Sequence, residues 1–170
     1  MPNHPLFMMF KSIFRSIPLS LFVVLSPIAL NAQDAALQAQ MTAGQQVYST
    51  VCFACHQPTG LGLPGMFPSV ASSDWVNKPK PDRLIRMVLH GFMGPITING
   101  APFTSPAPLM PPQGAALSDD QIANVLTYVR NSFGNKASAV SPAQVKAIRE
   151  AEKARTAMWT EAEILKIQAE

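Results

Sequence analysis

The sequence has few cysteines, few histidines and no long apolar segment after its first 30 residues, and each shortage excludes a kind of site or structure. Two cysteines and three histidines in 170 residues provide no second cysteine pair for a structural zinc site, which uses four ligands. No later run approaches the roughly 20 apolar residues of a membrane-spanning helix. No internal repeat indicates a repeat architecture. The chain is long enough for one domain with extensions.

The net charge is also small. Residues 1–32 hold two of the 13 Lys and Arg residues and none of the 10 Asp and Glu residues, so their removal would lower the charge from +3 to +1. A net charge this close to zero does not indicate nucleic-acid binding and gives little support for electrostatic steering of a partner. The local basic cluster is expected to be a solvated helix face, with a partner-docking patch as the alternative. It comprises Lys78, Lys80, Arg83 and Arg86.

Residues 1–32 have the layout of a secretory signal peptide. Lys11 and Arg15 form a basic n-region, an apolar run follows over 17–30, and small and polar residues come next. We expect cleavage after Ala32 and a periplasmic or secreted protein with no stable membrane insertion. An uncleaved anchor is the alternative, but a run of about 14 residues falls short of the roughly 20 that a spanning helix needs.

The remainder divides into a domain over 33–135 and a helical extension over 136–170. After a polar segment at 33–41, capping residues and apolar periodicity predict three helices in the domain, which begin at Thr42, Pro81 and Ser118. Between them lie long loops rich in Gly and Pro. These loops are predicted to contain one short helix near 69–76 and a very short hairpin at 96–101. Loops of this length are uncommon unless they wrap something, so a bulky cofactor would supply the missing core.

The extension alternates alanine with charged residues. Capping boxes predict two further helices, one from Pro142 to about Thr156 and one after Thr160. We expect these helices to pack on the domain, and a docking arm for a partner subunit is the alternative. The residues expected to be buried are Val145, Ile148, Trp159, Ile164 and Leu165.

One short segment contains the residues that we expect to bind a cofactor. Residues 52–56 read Cys-Phe-Ala-Cys-His and match the Cys-x-x-Cys-His signature of haem attachment. Two thiols one helical turn apart can add to two vinyl groups on one porphyrin edge, and His56 then lies beneath the iron as an axial ligand. A redox-active cysteine pair would normally follow a strand, and a simple disulfide would not need His56. We therefore expect one haem c per chain, held covalently by Cys52 and Cys55.

The residue pattern leaves the second axial ligand open. Met110 is favoured because prolines on both sides stiffen its loop and present the thioether at low entropic cost. His90 is the main rival, although we expect it to be a surface residue at a helix end. The remaining candidates are Met41, Met66, Met87, Met93 and Met158.

Over about residues 42–135 the chain resembles class I cytochromes c, the small single-haem type. Besides residues 52–56, the matching features are Gly44, Tyr48, Gly60, Gly62, Phe67-Pro68, Met110-Pro111 and Tyr128. The resemblance implies an all-α fold of three main helices around one haem, with a tiny hairpin and a helical C-terminal tail. It implies Met110 as the second iron ligand and the Pro68 carbonyl as acceptor of the His56 N–H. It also implies that Gly44 lets the first and third helices cross closely near Tyr128.

A closer likeness is to the cytochromes that accompany periplasmic dehydrogenases. Its features are residues 89–91, 94–96, 99–100 and 128–135, with Trp159-Thr160 and 163–165 in the tail. It implies an electron carrier, not an enzyme, that takes single electrons from a dehydrogenase and passes them to an oxidase or another cytochrome. A peroxidase-like haem enzyme and a gas sensor with a displaceable Met110 are the alternatives. Trp75 and Asn99 are candidate donors to the haem propionates.

Overall fold

The computed structural model describes residues 27–106 and 109–167 and consists mainly of helices. The helices are α1 Pro27–Val47, a π-helix Tyr48–Cys52, α2 Phe53–His56, α3 Asp82–His90, α4 Asp119–Arg130, α5 Pro142–Ala151 and α6 Glu161–Ile164. The strands are β1 Phe92–Met93, β2 Ile96–Ile98, β3 Ala101–Phe103 and β4 Leu109–Met110. They form two antiparallel pairs, β1 with β4 and β2 with β3. The helical class and the hairpin are as predicted, whereas the pairing of β1 with β4 is an addition to the all-α expectation.

Helix α1 begins much earlier than predicted. Thr42 lies inside the helix, where its hydroxyl donates to Gln38 O at 3.0 Å instead of capping a first turn. A threonine can bond to the preceding turn in this way, so the Thr42 and Gln45 pattern does not mark a helix start here. The polar segment 33–41 is therefore helical. Residues 1–26 of the expected leader lie outside the described residues. Within the described part of the chain, no helix has both the length and the apolarity to cross a membrane.

Helices α1 and α4 cross at Gly44. A Cβ atom at this position would lie 2.7 Å from the Tyr128 Cβ, closer than real Cβ atoms approach, and would also collide with the backbone of Asn124. Next to the crossing, the rings of Tyr48, Tyr128 and Phe133 lie 5.1 to 5.5 Å apart. The predicted close crossing is confirmed, and it sets the position of the chain that leads into residues 52–56.

The second and third predicted helices are confirmed in position. Helix α3 lies between Pro81 and Gly91, where Gly91 has a φ of +80°. Helix α4 begins with the expected capping box of Ser118 and Gln121. Helices α3, α4 and α5 share an apolar cluster, the first core cluster. Its buried members are Ile85, Val88, Leu89, Leu117, Ile122, Ala123, Leu126, Val140, Val145 and Ile148.

The segment 69–76 forms turns instead of the predicted short helix. Its backbone groups bond to the hairpin turn between β2 and β3. The amide N–H of Asp74 donates to Asn99 Oδ1 at 2.8 Å, and Asn99 N donates to Asp74 Oδ1 at 2.9 Å. Asn99 also donates to Ser72 O at 3.2 Å. These bonds compete with the local bonds that a helix would need.

The extension packs on the domain, as expected. Its two capping boxes are present, with α5 ending at Ala151 instead of near Thr156. Trp159 and Ile164 join a second core cluster with Trp75, Phe92 and Ile96. Leu165 is 49 % exposed, so the prediction of its burial is wrong.

The basic cluster before and within α3 is also not the solvated face that we expected. Arg86 pairs with Glu152 at the end of α5, and Arg83 Nη2 donates to Ile167 O at 3.4 Å. The extension therefore covers these two arginines, whereas Lys78 and Lys80 are exposed.

Candidate haem site

An apolar cleft brings the predicted site residues together. Its volume is about 190 Å³, more than ten times the roughly 10–15 Å³ that one water molecule requires. Apolar side chains of α3, α4 and both strand pairs form most of its walls. The predicted residues that line it are Cys52, Cys55, His56, Pro68 and Met110. A space of this size is uncommon in a packed interior, so we interpret the cleft as a ligand site.

The π-helix and α2 hold the two cysteines at the wall of the cleft. Both thiols are free and half-buried. Burial, together with the neighbouring Cys55, raises the pKa of Cys52 to about 11, so its thiol is protonated near neutral pH. The hydroxyl of buried Tyr48 donates to Gln57 O at 2.7 Å and ties the start of this helical segment to its end. Tyr48 was identified from the sequence only as a matching feature of the cytochrome c resemblance, so this bond was not predicted.

His56 is held by the contact predicted for it. Its Nδ1 lies 3.0 Å from Pro68 O. A carbonyl oxygen can only accept, so Nδ1 carries the proton and Nε2 keeps its lone pair. Burial lowers the pKa of His56, with the bond to Pro68 opposing that shift. Near neutral pH the ring is therefore neutral and in the tautomer that leaves Nε2 free to coordinate a metal.

Two glycines allow the loop after α2 to fold back and present Pro68. Gly62 has a φ of +68°, and a Cβ atom there would lie 2.6 Å from Pro68 O. Its N–H donates to His56 O at 3.1 Å. The carbonyl of Gly60 accepts from Val70 N at 2.8 Å, which fixes the far end of the loop. The left-handed backbone and the close approach at Gly62 both exclude a side chain.

Met110 reaches the cleft from a strand and not from a free loop. In the β1–β4 pair, Met110 is opposite Phe92 and Leu109 is opposite Met93. We expected prolines to fix Met110, but its backbone is held by this pairing. Pro108 lies outside the described residues. The Met110 side chain is partly buried and packs against both core clusters.

The rival ligands are distributed inside and outside the cleft. His90 does not line it. Its side chain is only 13 % exposed, with Nε2 3.4 Å from Glu152 Oε2, so the predicted surface position is wrong because the extension covers this residue. Burial lowers the pKa of His90, although Glu152 opposes that effect. Among the methionines, Met66 and Met87 share the cleft with Met110.

The two candidate propionate donors already have partners in the protein. Trp75 lines the cleft, but its Nε1 donates to Thr97 O at 2.7 Å. The side chain of Asn99 bonds to the 72–74 turn, as described above. Both residues hold the β2–β3 hairpin against the cleft wall.

Comparison with known protein families identifies the chain. The family model described as "Cytochrome C oxidase, cbb3-type, subunit III" matches residues 39–129. The chain belongs to this family of cytochrome c domains. Haem binding, which the motif at 52–56 predicted, and electron transport, which the resemblance implied, are therefore the properties of its family.

Individual relatives agree with this assignment. The cytochrome is 36 % identical over 108 residues to the cytochrome c subunit of a quinone alcohol dehydrogenase from Gluconacetobacter polyoxogenes, which covers 63 % of this chain and 22 % of the relative. It is 37 % identical over 102 residues to the gluconate 2-dehydrogenase cytochrome c subunit of Pantoea cypripedii, covering 59 % and 22 %. It is 30 % identical over 95 residues to cytochrome c-552 of Thermus thermophilus, covering 54 % and 69 %. The chain thus spans about a fifth of the length of the dehydrogenase subunits.

The residues of the cleft fit the haem that this family implies. Two thiols, a neutral imidazole and a thioether are the groups that attach and ligate haem c. They line one cleft whose walls are mainly apolar, as a porphyrin requires. The cleft also accounts for the long loops of the sequence, because the loop at 57–67 and both strand pairs lie around it.

Proposed function

We propose that this cytochrome is a periplasmic electron carrier of class I with one haem c. The haem would be bound covalently through Cys52 and Cys55, with His56 and Met110 as axial ligands. The observation that carries the proposal is that these four side chains, from two distant parts of the chain, line the same apolar cleft. Bound there, the haem would supply a reversible one-electron change of its iron.

The ligand residues have separate tasks. The bond from His56 Nδ1 to Pro68 O orients the ring and makes Nε2 a stronger donor. Met110 would provide the second axial ligand, a thioether that favours the reduced state. With both axial positions taken, no position is left for a substrate. This arrangement favours a carrier over a peroxidase-like enzyme or a gas sensor.

The surface near the two cysteines suits brief contact with another redox protein. Phe53 in α2 and Met66 in the following loop are each 45 % exposed. Pro111, next to Met110, is also exposed. Exposed apolar side chains at a redox site are typical of weak and transient encounters. We propose that electrons enter and leave here.

The proposed donor is a periplasmic dehydrogenase, and the proposed acceptor is an oxidase or another cytochrome. Two of the relatives above carry the names of dehydrogenase cytochrome c subunits, which supports such a donor. The signal-peptide layout of residues 1–32 supports export to the periplasm. Cleavage after Ala32 would leave no stable membrane insertion.

Replacing Met110 tests the ligand assignment most sharply. In protein matured with haem, Met110→Ala should abolish the far-red absorption band of methionine on ferric haem. It should also lower the midpoint potential by on the order of 0.1 V, a fraction of the roughly 0.8 V range that axial ligands span. Met93→Ala is the matched control, because Met93 lies on the paired strand but outside the cleft. The assignment fails if Met110→Ala keeps the band and Met66→Ala or Met87→Ala loses it.

Ligand binding separates the carrier from the two alternatives. The reduced wild-type protein should bind carbon monoxide weakly, and Met110→Ala should bind it readily. Tight binding or rapid peroxide turnover by the wild-type protein would instead favour a sensor or an enzyme.

A further inference from the structure

We infer that the C-terminal extension positions Met110, and that Trp159 is the positioning residue. Through Trp159 the extension holds strands β1 and β4 in place at the cleft. This inference rests on the proposed role of Met110 as an iron ligand. It gives the extension a task inside the molecule, in contrast to the docking arm considered from the sequence.

The first observation is a backbone connection. Trp159 N donates to Gly91 O at 3.0 Å, and Met93 N donates to Trp159 O at 2.8 Å. Phe92 and Trp159 therefore form a parallel bridge. Since Phe92 is also paired with Met110 in β4, strand β1 has the extension on one edge and Met110 on the other.

The second observation is the absence of a side chain at Gly91. A Cβ atom there would lie 2.6 Å from Met110 O and 3.1 Å from Met158 Cγ. The backbone at Gly91 has a φ of +80°, which L side chains rarely adopt. The extension and the backbone of Met110 thus approach the same glycine within van der Waals distance.

The third observation is the way in which Trp159 itself is fixed. Trp159 is 8 % exposed and lies in the second core cluster, against which Met110 also packs. The Arg155 Cζ lies 3.5 Å from the centroid of the Trp159 ring. Arg155 Nη2 also donates to Met158 O at 2.9 Å and to Glu163 Oε1 at 3.2 Å. The segment that joins β1 is therefore held on its outer side as well.

These contacts have a consequence for ligand exchange. Two paired strands of two residues each are marginal when isolated, so β1 and β4 need support from elsewhere. A third backbone segment and an apolar cover lower the population of locally opened molecules. The apparent affinity of a competing ligand is proportional to the fraction of molecules in which Met110 has left its position. Weakening the support should therefore raise that affinity.

The test uses imidazole as a competitor for the ferric haem of the full chain, followed by optical titration. Trp159→Ala should raise the apparent imidazole affinity about tenfold, as a change of about 1.4 kcal/mol in the opening equilibrium would do. The conservative Trp159→Phe should stay within about threefold of wild type. Ile148→Ala is the matched control, since Ile148 lies in the same extension and is equally buried at 8 %. Unlike Trp159, it makes no backbone hydrogen bond to β1 or Gly91.

Hydrogen exchange provides a readout that does not depend on ligand binding. The Met93 amide donates to Trp159 O, so it should exchange faster in Trp159→Ala and at the wild-type rate, relative to global stability, in Ile148→Ala. If Trp159→Ala does not fold, Arg155→Gln provides a second variant. It removes the guanidinium that lies over the Trp159 ring and leaves the indole in place. It should raise imidazole affinity in the same direction, by about threefold.

The outcomes separate this inference from the proposed ligation. If Met110→Ala abolishes the far-red band but Trp159→Ala and Arg155→Gln alter imidazole affinity no more than Ile148→Ala, the inference is overturned and the ligation stands. If Met110→Ala leaves the band unchanged, both are overturned. An increase in imidazole affinity that is confined to the Trp159 and Arg155 variants supports both the inference and the proposed ligation.

Discussion

The two sides of the cleft are built in different ways. On the side of His56, the two thiols, the imidazole and the Pro68 carbonyl come from residues 52–68, joined by contacts short in sequence. On the side of Met110, strand β4 depends on β1, and Phe92 of β1 contacts Trp159, which lies 67 residues further along the chain. The groups of the first side come from one segment, whereas the second side requires the pairing of segments that are distant in sequence. Mutations on the two sides should therefore have different consequences.

The largest effect is expected at the helix crossing that supports the His56 side. Gly44→Ala should destabilise the protein by about 1–3 kcal/mol through overpacking against α4, even though alanine favours the helix by roughly 1 kcal/mol. Because α1 leads directly into residues 52–56, haem incorporation should fall as well. Chemical denaturation and haem content per protein measure the two effects. Gln45→Ala, at an exposed neighbouring position on α1, should change neither the stability nor the haem content.

The next largest effect comes from mutating one glycine on each side of the cleft and comparing the two variants. Gly91→Ala would push a methyl group towards Met110 O, so it should weaken the far-red band and raise imidazole affinity about tenfold. Gly62→Ala would instead displace Pro68 from His56. It should keep the band but raise the midpoint potential, because the imidazole becomes a weaker donor and stabilises ferric iron less. Loss of the band in both variants would contradict the independence of the two sides.

The smallest effect concerns pH. Burial lowers the pKa of His90, with Glu152 opposing the shift and Arg155 and Arg149 adding to it. A histidine whose folded pKa is lowered binds protons more readily when unfolded. Stability is therefore fully present above the unfolded pKa of about 6.5 and declines as pH falls below it. Denaturation at pH 7 and pH 5 should show that His90→Gln reduces this decline. An unchanged decline would show that His90 protonation is accommodated by Glu152.

The same contrast explains what the sequence could predict. Residues 52–56, the capping boxes at Ser118 and Ser141 and the Asn99-Gly100 turn are local signals, and the structure has a helix or hairpin at each. Their physical causes lie within a few residues, so no tertiary information is needed. The contact of His56 with Pro68 followed from the family resemblance and is also short in sequence.

What could not be predicted depends on distant partners. Strands β1 and β4 have two residues each and leave no alternation to detect. The cover over His90 comes from Glu152, and the bridge to Phe92 comes from Trp159. Thr42 misled the prediction of α1 because a cap and an interior threonine have the same local pattern. These features require packing between segments that periodicity alone does not pair.

The central claim is covalent haem at Cys52 and Cys55 with His56 and Met110 on the iron. The most direct measurement is the optical spectrum of the purified protein, oxidised and reduced, with a pyridine haemochrome assay on the wild type and on Cys52→Ser/Cys55→Ser. We predict a c-type haemochrome that resists extraction in the wild type, a far-red band when oxidised, and loss of covalent haem in the double variant. A wild-type protein without covalent haem would contradict it.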